Sequence, residues 1–132
     1  MYKRTELVCI IAGGRDFNNY SLLEDYCYKI LTPYIEKGVR IIIRSGHAKG
    51  ADILGEKFAK ENNFDLEIYE ADWFLYGKQA GFIRNAQMAH GKDGDKAADI
   101  LIAFWDNESK GTNHMIKIMY EQVFTSVFVC NY

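Results

Sequence analysis

Apolar residues along this chain gather in five short runs, with segments of helical spacing between them. Residues 7–12 form a continuous apolar run stopped by Gly13-Gly14, as in a strand buried on both faces of a parallel sheet. Residues 39–43 repeat the pattern with β-branched side chains, and 66–69 alternate with acids as an edge strand does. Residues 100–105 and 126–130 supply a fourth and a fifth run. Between the first two, Ser21-Leu22-Leu23-Glu24 fits a capping box, and Leu23, Cys27, Ile30 or Leu31, and Tyr34 recur at helical spacing up to Gly38. Pro33 is expected to bend or end that helix in its last turn, because it cannot donate to the carbonyl four residues back. A second helix over 51–62 turns Ile53, Leu54, Phe58 and Ala59 inward. A third runs from about 78 to 90 after the aromatic loop Trp73-Phe74-Leu75-Tyr76, and a fourth over 112–123.

Strands alternating with helices at this spacing predict an α/β fold. The expectation is a Rossmann-like three-layer α/β/α sandwich with a parallel five-stranded sheet in order 3-2-1-4-5, forming one domain over residues 1–132. That order puts the topological switch point between the first and fourth strands, where open α/β sheets bind ligands beyond the carboxyl ends.

Composition narrows the picture. A chain of 132 residues, 48% hydrophobic and 14% aromatic, can build one core without metal or disulfide staples. Sixteen basic and eighteen acidic side chains leave a net charge of -2, so no global field draws the protein to nucleic acid or acidic lipid, and an anion must be met by a local pocket. Cys9, Cys27 and Cys130 show no Cys-x-x-Cys spacing and read as small buried hydrophobes in a reducing compartment. The apolar run after Lys3 and Arg4 is shorter than a secretory core and ends in Gly-Gly-Arg-Asp, and no run approaches the roughly 20 apolar residues of a membrane span. A cytoplasmic protein without membrane association is expected.

Four segments near strand ends carry residues suited to a phosphate or a sugar. After the first strand come Gly13, Gly14, Arg15, Asp16 and Phe17, which lack the Gly-x-Gly-x-x-Gly dinucleotide pattern. This segment is a tight turn or an anion contact, with Arg15 facing a phosphate or a neighbouring acid and Phe17 stacked on a base or in the core. The loop after the second strand holds Ser45, Gly46, His47, Lys49, Gly50 and Asp52 and is not a P-loop; His47 has no evident catalytic partner. On the third helix Gly77, Gly81, Arg84 and Met88 fall on one stripe beside Asn85. Glycines on a helix face cost about 1 kcal/mol each relative to Ala, tolerable where a ligand or another backbone comes close. The alternative is tight packing on the sheet with Arg84 in a structural salt bridge. The fourth strand ends at Trp105, and Lys110, Gly111, Thr112 and Asn113 then open a helix whose free N–H groups suit a phosphate. A plain N-cap by Ser109 or Thr112 is the alternative.

In this order the motifs resemble the SLOG superfamily, and most closely its YspA/YpsA-related branch of small single-domain proteins. The likeness runs through Gly13-Gly14-Arg15-Asp16-Phe17, Gly50-Ala51-Asp52, Ala71-Asp72-Trp73, Gly77-Lys78-Gln79-Ala80-Gly81, Arg84-Asn85 with Met88, Ala98-Asp99 and Gly111-Thr112. The resemblance implies a Rossmann-like fold that binds nucleotides, nucleotide sugars or ADP-ribose-like signals. Related LOG phosphoribohydrolases hydrolyse nucleoside monophosphates with an Arg-Lys-x-x-Met helix and a Pro-Gly-Gly-x-Gly-Thr-x-x-Glu loop. Arg84 and Met88 match the first with Asn85 in place of Lys. Gly111 and Thr112 match the second, but Met115 stands at the glutamate and residues 106–110 replace Pro-Gly-Gly. Methionine can neither stabilise an oxocarbenium ion nor activate water, which leaves Asp16, Asp52, Asp106 and Glu108 as candidate acids.

The expected function is therefore binding or sensing of a nucleotide-derived small molecule, without metal or further cofactor. The alternative is a LOG-like hydrolase of the N-glycosidic bond in which Arg84 holds the phosphate. Nucleic acid is disfavoured by the charge and the absence of a basic stripe. Nineteen aromatic residues exceed what one modest core readily hides, so a homodimer is expected, with exposed aromatics at its interface.

Overall fold

Five parallel strands are hydrogen-bonded in the order β3-β2-β1-β4-β5 in the computed structural model, which describes residues 4–132. The strands are β1 (Glu6–Gly13), β2 (Arg40–Ser45), β3 (Asp65–Ile68), β4 (Ile100–Trp105) and β5 (Ser126–Asn131). The helices are α1 (Tyr20–Glu36), α2 (Ala51–Glu61), a single turn α3 (Trp73–Tyr76), α4 (Ala80–His90) and α5 (Lys110–Glu121). Parallel pairing throughout and helices between the strands make this the expected Rossmann-like three-layer α/β fold.

The apolar runs of β1 and β4 are continuous because both faces of the sheet are covered. One core cluster takes Leu7, Cys9 and Ile11 from β1 with side chains of α1 and α2. The other takes Val8, Ile10 and Ala12 with Met88 of α4 and Met115, Ile116 and Met119 of α5. β1 and β4 lie side by side at the centre, with Gly13 level with Phe104. The loops following them therefore emerge together at the carboxyl edge, on either side of the reversal in strand order.

Several local expectations are corrected. α1 starts one residue before Ser21, and its cap is Asn19, whose side chain accepts from the Leu22 N–H at 3.1 Å; a serine inside the first turn cannot serve as the cap. Pro33, by contrast, lies where expected, in the last turn of the helix, which ends at Glu36. On α2 Ile53 is exposed and Leu54 only half-buried, while Asp52, Gly55 and Glu56 are buried. The helix lies close against β1, where a Cβ on Gly55 would come 2.8 Å from Ile11, and its N-terminal turn dips into the loops with two acids facing inward. Gly77 is not on the third helix. It ends α3 with φ +57° and begins a 3-10 turn, Gly77–Gln79, so it serves a left-handed bend. Phe17 is a core residue, stacked on Phe104 at 4.8 Å, and is not available to a base.

Candidate functional site

A cavity of about 430 Å³ opens at the carboxyl ends of β1 and β4, the size of a small-molecule site. The β1 loop supplies Gly13, Gly14, Arg15 and Asp16, and Asp52 reaches it from the start of α2. α4 gives Phe82, Arg84, Asn85 and Met88, and the opposite wall is Gly111, Thr112 and Met115 of α5. Trp73 and Lys78 stand at the rim. A second cavity of about 330 Å³ adjoins it toward β2 and β3 and shares Arg15, Ala48, Trp73 and Arg84. Gly46, His47, Lys49, Glu70 and Ala71 complete its lining.

Glycines bring the loops this close, by packing against one another. A Cβ on Gly13 would lie 2.4 Å from the Phe104 carbonyl oxygen, and one on Gly50 would lie 2.3 Å from that of Gly14. Gly50 also has φ +84°, a conformation that a side chain disfavours. The carbonyl of Gly14 accepts from the Ala51 N–H at 3.2 Å, so the first and second loops are laced through their backbones.

Arg84 is fixed between the loops. Its Nε donates to Asn85 Oδ1 at 3.1 Å and its Nη1 to the Gly46 carbonyl at 2.5 Å. It makes no salt bridge among the described residues, which sets aside the structural ion pair as its role. Burial lowers its pKa, opposed by the nearby Asp52 charge. Asp52 is 5% exposed and accepts one backbone N–H, that of Ala48, at 3.2 Å. Desolvation pushes its pKa up to about 6 against that hydrogen bond and the attraction of Arg84. A buried carboxyl with a raised pKa thus lies near a guanidinium, the two flanking Gly46 at the cavity. Arg15 and Lys49 are exposed and make no hydrogen bond or ion pair among the described residues.

The N-terminus of α5 differs from the expected anion cradle. Ser109 caps it, its Oγ taking the Thr112 N–H at 3.4 Å and lying 3.1 Å from the Thr112 hydroxyl, while its carbonyl takes the Asn113 N–H. Asp106 accepts from the backbones of Glu108 and Ser109. The N–H groups of Thr112 and Asn113 are therefore already satisfied, as the capping alternative has it. Lys110 and Asn113 lie outside both cavities, as does Trp105, whose indole N–H donates to the Ser109 carbonyl. Ser45 is buried beneath the second loop, bonded to Glu56 at 2.8 Å. Gly81 lines the larger cavity, and a Cβ there would meet the Trp73 ring at 3.6 Å and Arg84 Nη2 at 4.0 Å, so no other backbone approaches it.

Sequence reasoning missed Glu56, whose carboxylate meets the His47 ring at 2.7 Å. Its position four residues beyond Asp52 on one helix face was the available signal. Trp73, Lys78 and Phe82 were also missed as lining residues, because only the turn at Gly77 folds their segment over the cavity.

The sequence pattern of the YspA, cpYpsA-related SLOG family matches residues 7–76, from β1 through α3 and short of the α4 and α5 walls. The gene 61 protein of Mycobacterium phage D29 is 32% identical over 82 residues, which cover 58% of this chain. The match spans 62% of that protein's length. No solved structure matches.

Proposed function

The chain belongs to the YspA, cpYpsA-related SLOG family, and we propose that residues 1–132 act as one SLOG-like unit that binds a nucleotide-derived small molecule. The candidates are a nucleoside monophosphate, a nucleotide sugar or an ADP-ribose-like compound, held at the carboxyl ends of the strands. The supporting observation is the shape and chemistry of the larger cavity. Met88, Met115, Phe82 and Trp73 give it an apolar side that suits a base, and Arg15 and Arg84 give it a cationic side that suits a phosphate. Gly111 and Thr112 face the sugar in this reading, and the protein works in the cytoplasm as a homodimer.

Titration calorimetry with nucleoside monophosphates, ADP-ribose and a nucleotide sugar tests it. Arg84→Ala is expected to weaken binding by about 10- to 150-fold through loss of a charge-assisted contact. Absence of binding across the panel, or wild-type affinity in Arg84→Ala, would overturn the assignment.

A hydrolytic reading rests on Asp52, a buried acid titrating near neutrality beside Arg84, where Met115 offers no carboxylate. Release of free base during the same incubations, abolished in Asp52→Asn, would establish it; recovery of unchanged ligand would establish binding alone.

A further inference from the structure

We propose that the smaller cavity is a phosphate subsite in which His47, oriented by the buried Glu56 carboxylate, is a protonation-controlled donor to a phosphate monoester. The inference rests on the nucleotide reading for the part of the ligand in the larger cavity. It assigns the ligand a terminal phosphate that crosses Arg15 and Arg84, the two cationic residues common to both cavities.

The geometry carries it. His47 has φ +61°, a left-handed backbone that a non-glycine residue adopts only where its surroundings impose it. Its N–H donates to Ser45 Oγ at 3.0 Å, Ser45 Oγ donates to Glu56 Oε2 at 2.8 Å, and the same carboxylate oxygen meets His47 Nδ1 at 2.7 Å. Backbone and ring are thus held by one buried acid, 5% exposed. A carboxylate on one ring nitrogen fixes the tautomer and leaves the other for a ligand. That other nitrogen, Nε2, is at the cavity, 3.6 Å from the exposed carboxylate of Glu70.

The charges around the imidazole set the sign of the pH dependence. Glu56 and Asp52 face it from α2, Glu70 from the segment after β3, Lys49 from its own loop, Arg15 from the β1 loop and Arg84 from α4. The hydrogen bond to Glu56 raises the His47 pKa above its ordinary value, with smaller contributions from Glu70 and Asp52. A phosphate monoester loses its second proton near pH 6. Affinity is therefore greatest just above that pH and falls once His47 loses its proton. Glu70 competes with the phosphate for Nε2, so neutralising it strengthens binding.

The test combines calorimetry and NMR of the histidine ring in the full chain, with adenosine, cytidine, guanosine and uridine monophosphates, the four nucleosides, and inorganic pyrophosphate as probes. Monophosphate affinity is expected to fall about tenfold or more from pH 6.5 to pH 9, and nucleoside affinity to stay level. His47→Gln should flatten the fall, and Glu56→Gln should move both the His47 midpoint and the fall in affinity to lower pH. Glu70→Gln should tighten monophosphate binding severalfold. A nucleotide that binds without moving the His47 resonance, or a fall that persists in His47→Gln, would overturn the subsite and leave the nucleotide reading standing. Pyrophosphate moving His47 while no nucleotide binds would leave the subsite and overturn the nucleotide reading. Failure of every probe to bind would overturn both.

Discussion

Asp52 is a carboxyl group folded into a place that favours its neutral form. The folded protein holds its proton up to about pH 6, whereas an unfolded chain releases it near the ordinary value of 3.8. The native state therefore binds more protons over that interval, and the Asp52 contribution to stability declines as pH rises from about 4 to 6. The shift corresponds to roughly 2 to 3 kcal/mol. Urea denaturation across this range should show a decline in wild type that Asp52→Asn removes, since an amide can still accept from Ala48; parallel curves would refute it. His47 has the same sign in a later window, losing its contribution above its ordinary pKa of 6.5. Two glycines separate packing from ligand contact at this scale. Gly50→Ala drives a Cβ into the Gly14 carbonyl at positive φ and is expected to cost about 2 kcal/mol or more. Gly111→Ala enters open space inside the first turn of α5 and is expected to stabilise by about 0.5 to 1 kcal/mol. Equal thermal shifts of the same sign would contradict the two assignments.

Elements are tied together around the site by a cation that takes no part in it. Arg44 on β2 is fully buried and donates to Glu67 on β3 at 2.8 Å, to the Met88 carbonyl of α4 at 2.7 Å and to the Lys96 carbonyl at 2.7 Å. Its guanidinium also stacks over Tyr69 at 4.9 Å, and the Tyr69 hydroxyl donates to Asp95. Sheet, helix and the 91–97 connection thereby share one charge, and α4, which carries Arg84 and Asn85, is held at its far end. Arg44→Met keeps most of the side-chain length but strands the two carbonyls and Glu67. Stranding two buried carbonyls costs about 1 to 3 kcal/mol each, and the half-buried Glu67 loses its partner as well, so a loss of at least about 2 kcal/mol is expected in urea melts. Native-state hydrogen exchange should accelerate more over residues 88–97 than in β1; a uniform acceleration would mean that Arg44 supports the core in general and not α4.

At the scale of the whole molecule two exposed apolar regions stand out, one at Trp73, Phe74, Leu75, Tyr76 and Phe82 and one at Tyr120, Val123 and Phe124. The first adjoins the mouth of the larger cavity, and Phe74 is fully exposed. Contiguous exposed aromatics on a small protein favour burial in an assembly, and the dimer proposed above would use this face. Light scattering is expected to give twice the 15.2 kDa chain mass, and Phe74→Lys to shift the population toward the monomer. A concentration-independent mass near 15.2 kDa in wild type would exclude the dimer. Among the described residues no helix is long and apolar enough to cross a membrane.

What the sequence determined by itself was the architecture, and with it the edge of the sheet at which the candidate residues gather. Strand runs buried on both faces and helices between them leave few topologies once crossovers are right-handed, and the sheet order 3-2-1-4-5 follows. Of the six residues expected in one pocket, Gly13, Arg15, Arg84, Gly111 and Thr112 line the larger cavity, and Gly46 lines the smaller one beside it. What only the tertiary structure decided was which polar groups remain available there. Ser109 caps α5 and takes the Thr112 and Asn113 N–H groups, Ser45 sits under its loop, and Phe17 belongs to the core, because each partner is set by a turn or by packing that no periodicity records. The pairing of His47 with Glu56 is likewise a product of the fold. A left-handed residue after β2 and an inward face of α2 bring a loop histidine and a helix acid within 2.7 Å, and hydrogen bonding at that range depends on direction as much as on proximity.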